Sequence, residues 1–274
     1  SMATTTSNGI ELSYTDSGGE GRPVVLIHGW PLSGASWSEQ IPALTAAGYR
    51  VITYDRRGFG ASEKTGGGYD YDTFSEDLAG ILDHLGVSDA TLVGFSMGGG
   101  EVARYLGTRG SERIRSAVLA SAVPPFLLKS DDNPDGGLAD EDVEGMKSGF
   151  RDGRAEFLDG FSTNFFSAGD ELKVTDEQRR EAFALAEPAV DVAIETCIDA
   201  FSRTDFRDDL AKIDVPVLVI HGDSDGIVPF EVSGQRSHDA ISDSTLHVVE
   251  GGPHGITVSH AEEFNDTLLQ FLAD

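Results

Sequence analysis

Residues 94–98 read GFSMG and match the pattern G-x-S-x-G, in which one glycine lies two residues before the serine and another lies two residues after it. A serine on a sharp turn between a strand and a helix has an exposed hydroxyl and can act as a nucleophile. The apolar residues before the turn predict such a strand, and those after it predict a helix. A phosphate-binding loop would need a lysine after the glycines, and a dinucleotide-binding loop would need a different glycine spacing. The sequence therefore predicts that Ser96 is a nucleophile.

A serine nucleophile needs a general base, and seven histidines compete for that role. His254 lies in the segment GGPHG, in a loop directly after the last predicted strand, from which it could reach the nucleophile. The other six have simpler explanations as exposed helix residues, strand residues or residues at element ends, and they are His28, His84, His221, His238, His247 and His260. His254 is therefore the predicted base.

The base needs a carboxylate that orients its ring. The segment HGDSDGIVP follows the next-to-last predicted strand and offers Asp223 and Asp225. Asp223 comes directly after a glycine and is typical of an aspartate that stabilises a turn. The strand that ends at Val123 is followed only by two prolines and a phenylalanine, so the rival position has no acid. We therefore predict that Asp225 is the orienting acid.

An oxyanion intermediate needs two backbone N–H donors. The first predicted donor is Met97, directly after the nucleophile. The second should come from the loop HGWPLSG after an early strand, where Pro31 has no N–H to donate. This narrows the second donor to Trp30.

The elements that must position these residues alternate along the chain. Short apolar runs predict buried strands of a parallel sheet, and these runs cover residues 24–29, 50–55, 90–95, 114–123, 215–222 and 245–251. Periodic segments between them predict helices over 36–47, 73–85, 97–108, 229–241 and 260–272. Such alternation predicts an α/β fold with a doubly wound sheet.

The segment 124–212 breaks this alternation, because it contains several helical stretches and no convincing strand. We predict that it is a helical cap inserted into a core formed by residues 1–123 and 213–274. A cap over the carboxyl ends of the strands would enclose a ligand pocket. Most aromatic residues of the cap pack it onto the core, and the residues predicted to line the pocket are Trp30, Phe126, Phe161, Phe165 and Ile227.

The chain carries 47 acidic and 20 basic residues, which gives a formal net charge of −27. Nucleic acids and anionic membranes are therefore unfavourable partners. The excess of acid indicates a solvated surface, and adaptation to high salt is the more specific hypothesis. The segment YDRRGFGAS predicts a turn held by hydrogen bonds between Asp55 and the arginines that follow it. No His, Cys, Asp or Glu cluster has the spacing of a metal site, so no metal is expected.

The segments HGWPLSG, YDRRGFGAS, GFSMGGGEVARY, HGDSDGIVPFE and GGPHG together resemble the cofactor-free, non-haem haloperoxidases and their aryl esterase relatives among the α/β-hydrolases. The chain order Ser96, Asp225, His254 is also the order of this superfamily. The resemblance implies a mostly parallel eight-stranded sheet flanked by helices, a helical cap and no cofactor. It implies the triad and oxyanion roles given above.

This resemblance implies a serine esterase that also acts as a perhydrolase, with an ester or carboxylic acid, water and hydrogen peroxide as its small-molecule partners. A hydrolase of a lactam, lactone or carbon–carbon bond is the alternative, and a non-catalytic receptor is a further one. The first residues lack a signal-peptide pattern and Cys197 is the only cysteine, so a cytoplasmic location is expected. The sequence leaves open whether the chain forms a homo-oligomer.

Overall fold

The computed structural model describes residues 2–274 and contains one eight-stranded sheet with a small two-stranded sheet beside it. The strands are β1 (Met2–Ser7), β2 (Ile10–Asp16), β3 (Pro23–Ile27), β4 (Arg50–Tyr54), β5 (Ala90–Phe95), β6 (Ile114–Ala120), β7 (Ser167–Ala168), β8 (Glu171–Leu172), β9 (Val217–Gly222) and β10 (Ser244–Val249). The large sheet has the order β1-β2-β4-β3-β5-β6-β9-β10. β1 and β2 run antiparallel to their neighbours and the remaining pairs are parallel, which confirms the predicted mostly parallel sheet.

The helices flank the large sheet or lie between β6 and β9 along the chain. They are α1 (Ile41–Ala46), α2 (Tyr71–Leu85), α3 (Met97–Arg109), α4 (Asp140–Asp152), α5 (Arg154–Phe165), α6 (Asp176–Ala184), α7 (Asp191–Arg203), α8 (Arg207–Ala211), α9 (Gly234–Ala240), α10 (Ile256–Ser259) and α11 (Ala261–Leu272). α2 begins two residues earlier than predicted because Asp70 accepts the Thr73 amide at 2.9 Å as an N-cap. The predicted segment 36–47 divides into a 3₁₀ helix at Gly34–Trp37 and α1.

Residues alternate between the two faces of the sheet, as the period of a strand requires. In β3, Val25 and Ile27 belong to a buried cluster that also contains residues of α2 and α3. Val24 and Leu26 belong to a second cluster, with residues of α1 and α11. Because both faces are covered, the central strands are apolar almost throughout, and β5 is buried along its whole length.

The antiparallel hairpin β1–β2 was not predicted from the residues. Its turn is Asn8-Gly9, and both residues have positive φ values of 54° and 80°. Asn-Gly is the preferred pair for a two-residue hairpin turn, so the signal was present. The polar strand β1 hid it, because MATTTS has no clear alternation of apolar residues.

Five helices, α4 to α8, occupy the segment between β6 and β9. The expectation of no strand in this segment was wrong, since β7 and β8 form a short antiparallel pair there. α8 packs against α3, and Arg104 of α3 donates to Asp209 of α8 at 3.0 Å. Because α8 of the predicted cap packs on α3 of the core, the boundary between cap and core at residues 212 and 213 stays a prediction. Among residues 2–274, no helix is long and apolar enough to cross a membrane.

Candidate active site

Ser96 stands at the junction of β5 and α3, in a strained backbone conformation with φ 54° and ψ −117°. A non-glycine residue rarely has a positive φ, and such strain is concentrated at functional sites. The junction also needs Gly98, because a Cβ there would clash with the Ile27 carbonyl oxygen at the end of β3. The turn thus explains the glycines around the serine, which make a poor beginning for a helix by propensity alone.

Ser96, His254 and Asp225 form one hydrogen-bonded chain. The His254 Nε2 atom lies 2.9 Å from the Ser96 Oγ atom, and the His254 Nδ1 atom lies 2.7 Å from Asp225 Oδ2. All three residues are buried, with exposed fractions of 8%, 1% and 6% for Ser96, His254 and Asp225. The three residues predicted to be nucleophile, base and acid are therefore brought together in the order that proton transfer from the serine would need.

Asp225 has three hydrogen-bond donors around its carboxylate and a second histidine close by. Its Oδ1 atom accepts the amides of Ile227 and Val228 at 2.9 and 2.8 Å. Its Oδ2 atom faces His254 and, at 3.3 Å, the Nε2 atom of His221. Burial by itself would raise the pKa of Asp225, but the two histidines lower this pKa by more than burial raises it. The pKa of Asp225 is therefore below its usual value. The carboxylate is thus held in the ionised form that can orient His254.

Asp223, the rejected alternative, has different surroundings. It is exposed, and its Oδ1 atom accepts the Gly251 amide at 2.8 Å. This contact joins the loop after β9 to the loop after β10. Asp223 therefore has the turn-stabilising contacts predicted for it, on the two loops that carry Asp225 and His254.

The two predicted oxyanion donors, Trp30 and Met97, are buried at the carboxyl ends of β3 and β5. Within residues 2–274, neither amide donates a hydrogen bond to another protein group. Met97 is the first residue of α3, where the aligned peptide dipoles favour a negative charge. The Trp30 indole N–H donates to the Ile194 carbonyl of α7 at 3.0 Å, which fixes its ring under the cap.

A cavity of about 460 Å³ opens over Ser96 between the core and the segment 124–212. Most of its lining is apolar, and the lining residues are Trp30, Ser96, Val123, Leu127, Leu138, Met146, Glu156, Phe157, Gly160, Phe161, Asn164, Phe201, Gly226, Ile227 and Val228. Trp30, Phe161 and Ile227 thus line the cavity as predicted. The charged Glu156 and polar Asn164 are exposed, so they belong to its mouth.

Phe126 and Phe165 do not line this cavity, and the prediction that they do was wrong. The Phe165 ring instead packs edge-on against the His254 ring, with 4.8 Å between centroids. The Phe126 ring lies under the Arg207 guanidinium at 5.1 Å, away from Ser96. Phe165 therefore covers the predicted base, whereas Phe126 anchors α8.

The turn at residues 54–62 also differs from its prediction. Asp55 accepts the amides of Gly34 and Ala61, each at 2.8 Å, and does not pair with either arginine. Arg56 forms a fully buried ion pair with Glu101 of α3, and Arg57 pairs with Asp77 of α2. The partners lie 45 and 20 residues away in the sequence, so no local pattern indicates them.

Sequence reasoning missed several residues near the site. Phe157 lines the cavity one helical turn before Phe161, and that spacing was a usable signal. His221 contacts Asp225, which the i, i+4 spacing alone does not indicate. Among residues 2–274, no group of three His, Cys, Asp or Glu side chains could hold a metal ion. The expectation that no metal or cofactor is needed stays a prediction.

The fold and this arrangement define a class of protein. A family model described as alpha/beta hydrolase fold matches residues 22–261. The chain belongs to this family, which confirms the predicted fold.

The relatives are more specific. The chain is 46% identical to a non-heme chloroperoxidase of Kitasatospora aureofaciens, over 98% of both chains. It is 37% identical to a bifunctional esterase/perhydrolase of Acinetobacter calcoaceticus, again over 98% of both. The crystal structure of a bromoperoxidase from Bacillus anthracis is similar with a TM-score of 0.97, at 53% identity and with 100% of both chains covered. The predicted resemblance to haloperoxidases and esterases is therefore confirmed.

Proposed function

We propose that the protein is a serine esterase and perhydrolase that works through an acyl-enzyme on Ser96. The hydrogen-bonded chain from Ser96 through His254 to Asp225 carries this proposal. The similarity to chloroperoxidases and to an esterase/perhydrolase supports it. The apolar cavity above Ser96 fits a neutral ester of a small or aromatic acid better than an anionic substrate.

In the first half of the reaction, the Ser96 oxygen attacks the ester carbonyl carbon while His254 Nε2 takes the hydroxyl proton. Asp225 holds the ring and stabilises the imidazolium that forms. The amides of Trp30 and Met97 stabilise the oxyanion. The tetrahedral intermediate then releases the alcohol of an ester, or water where the substrate is a carboxylic acid such as acetic acid. The leaving group receives the proton from His254, and the acyl group stays on Ser96.

In the second half, water or hydrogen peroxide attacks the acyl-enzyme, with His254 again as base. Water gives a carboxylic acid, and peroxide gives a peracid, while the proton returns to Ser96. The peracid then transfers one oxygen to a halide ion away from the enzyme, which yields a hypohalous acid and the carboxylate. Halogenation is thus indirect, and the oxidant is the supplied hydrogen peroxide.

Ser96→Ala tests this proposal because it removes the nucleophile of both reactions. We expect the loss of p-nitrophenyl acetate hydrolysis and of bromination that depends on acetate and peroxide. Ser224→Ala is the matched control, since Ser224 lies in the loop that carries Asp225 but its hydroxyl contacts Asp223. Bromination that survives in Ser96→Ala would contradict the acyl-enzyme route.

A panel of p-nitrophenyl esters, lactams and lactones tests the alternative substrate classes on the same site. We expect ester hydrolysis to be fastest by kcat/KM. A lactam or lactone that reacts faster than every ester would favour the alternative. The cytoplasmic location stays a prediction from the sequence. The oligomeric state stays open.

A further inference from the structure

Four buried polar side chains form one hydrogen-bonded network outside the triad. They are His28, Tyr54, Arg56 and Glu101, and none is more than 2% exposed. Burial of an unpaired charge is strongly unfavourable, so a fully buried arginine and glutamate need close partners. Neither charge is used in the mechanism proposed above, which leaves the reason for their position open.

Arg56 is the centre of this network. Its Nε atom donates to Glu101 Oε1 at 2.6 Å, and its Nη2 atom contacts the same carboxylate. Nη2 also donates to the His28 carbonyl oxygen at 2.6 Å, and the Arg56 backbone amide donates to His28 Nε2 at 2.9 Å. The second carboxylate oxygen of Glu101 accepts the Tyr54 hydroxyl at 2.8 Å. The planar guanidinium therefore connects Glu101 and His28 in one fixed geometry.

These two partners belong to the two segments that carry the oxyanion donors. His28 precedes Trp30 by two residues, in the loop after β3. Glu101 is one helical turn after Met97, at the beginning of α3. The segments touch at the Ile27 and His28 carbonyls, because a Cβ on Gly98 would clash with the Ile27 oxygen and lie 3.0 Å from the His28 oxygen. Arg56 thus binds at the place where the loop and the helix meet.

The His28 ring is fixed in one form by the same contacts. Because Nε2 accepts the Arg56 amide, the proton lies on Nδ1, which donates to the Gly29 carbonyl oxygen at 2.9 Å. Burial, together with the Arg56 charge, holds the pKa of His28 well below its usual value. The ring therefore stays neutral, and both carbonyl groups before Trp30 have a fixed hydrogen-bond donor.

We propose that Arg56 and Glu101 are a positioning pair that sets the distance between the Trp30 and Met97 amides of the oxyanion hole. This inference rests on the proposed function, since it concerns the same reaction. Oxyanion donors act only within about 2.7 to 3.1 Å of the oxyanion, so a small shift of one segment against the other weakens stabilisation of the transition state. The ground-state ester depends less on these donors than the transition state does.

A purely structural role is the competing explanation, and the neighbouring pair Arg57–Asp77 provides its control. Arg57 donates to Asp77 through two nitrogens at 2.7 and 2.9 Å, and both residues are buried. Asp77 lies on α2 and its other contacts reach Ser7 and Asn8 of the first hairpin. This pair therefore resembles Arg56–Glu101 in chemistry and depth, but contacts neither donor segment.

The experiment compares Glu101→Gln, which keeps the side-chain shape, with Asp77→Asn. Arg56→Lys keeps the charge and loses the planar fork, and Tyr54→Phe removes only one bond to Glu101. For each variant, kcat and KM for p-nitrophenyl acetate and the inhibition constant of phenylboronic acid are measured. The boronic acid forms a tetrahedral adduct with a serine and reports on the oxyanion hole. Thermal unfolding of each variant reports its stability.

We expect Glu101→Gln and Arg56→Lys each to lower kcat and to raise the inhibition constant of phenylboronic acid by about tenfold or more. KM should stay within about twofold of the wild-type value. Asp77→Asn should lose stability but bind the boronic acid as the wild type does. If Glu101→Gln does not fold, Tyr54→Phe decides, with a smaller change in the same direction. Unchanged binding in the foldable network variants, or equal weakening in Asp77→Asn, would overturn the inference. A wild type without esterase activity or boronic acid binding would instead overturn the proposed function, and this inference with it.

Discussion

The two walls of the cavity over Ser96 are built differently. The core wall carries Ser96, which is joined to the residues behind it by directed hydrogen bonds: Ser96 to His254, His254 to Asp225, and Asp225 to two backbone amides. The cap wall presents apolar side chains of α4, α5 and α7, such as Met146, Phe161 and Phe201. A wall of directed bonds has one working geometry, whereas a wall of apolar contacts can change shape at modest cost. The core wall should therefore set whether reaction occurs, and the cap wall should set which substrate reacts.

The largest expected effect concerns the acid of the core wall. Asp225→Asn should lower kcat by about 10³- to 10⁴-fold, because an amide would favour the wrong tautomer of His254. Asp223→Asn is the matched control, because Asp223 lies two residues away and contacts only loop groups. The kcat of Asp223→Asn should remain within several-fold of the wild-type value. Comparable losses in the two variants would contradict the assignment of Asp225.

A smaller effect is expected at the cap wall. Phe161→Ala removes a ring that packs against Trp30 with 5.0 Å between centroids. We expect kcat/KM for p-nitrophenyl butyrate to fall by about tenfold relative to the acetate, since the cavity loses an apolar contact with the longer acyl chain.

Phe126→Ala is the control for this prediction, because Phe126 is buried outside the cavity. It should lower stability and leave the ratio of kcat/KM for butyrate and acetate unchanged. A similar change of that ratio in both variants would mean that the cap wall does not select the acyl chain directly.

The buried network of His28, Tyr54, Arg56 and Glu101 should also make stability depend on pH, through His28. Burial and Arg56 depress the folded-state pKa of His28, whereas the unfolded-state value is about 6.5. Below this pH the unfolded chain binds a proton that the folded chain does not, so stability is lost as the pH falls. The free energy of unfolding should decrease by up to about 1.4 kcal/mol per pH unit from this residue.

Urea unfolding at pH 7.5 and 5.5 measures this effect. His28→Gln removes the titrating group and should show a smaller loss of stability between the two pH values than the wild type. Equal losses in the two proteins would show that His28 is protonated as easily in the folded state as in the unfolded one.

The smallest effect concerns neither wall but the net charge of the chain. If the net charge of −27 destabilises the fold by self-repulsion, screening should raise the melting temperature by several degrees between low and molar salt. Sodium chloride and potassium chloride should act alike if screening is the cause. A flat response would reject salt adaptation.

The same contrast explains what the sequence could predict. Ser96, Asp225 and His254 were identifiable because each lies in a short segment directly after a strand, and parallel strands bring such segments to one edge. The pair Arg56–Glu101 depends on contact between segments 45 residues apart, for which one sequence offers no pattern. The hairpin turn at Asn8-Gly9 was a usable signal that the polar strand β1 obscured.

The cap wall was predictable in composition and not in orientation. Phe157, Phe161 and Phe165 follow each other at intervals of four residues on α5. With 3.6 residues per turn, eight residues rotate the side-chain direction by about 80°. Phe157 and Phe161 therefore reach the cavity, whereas Phe165 turns away from it and packs on His254. A prediction from residue type alone could not separate these positions.

The central claim is that Ser96 is the nucleophile that carries the acyl group. The most direct measurement is labelling with a fluorophosphonate at neutral pH, followed by mass spectrometry of the intact protein and its peptides. The account predicts one adduct on the wild-type chain, located on Ser96, and none on Ser96→Ala. An unlabelled wild type, or an adduct on another residue, would contradict it.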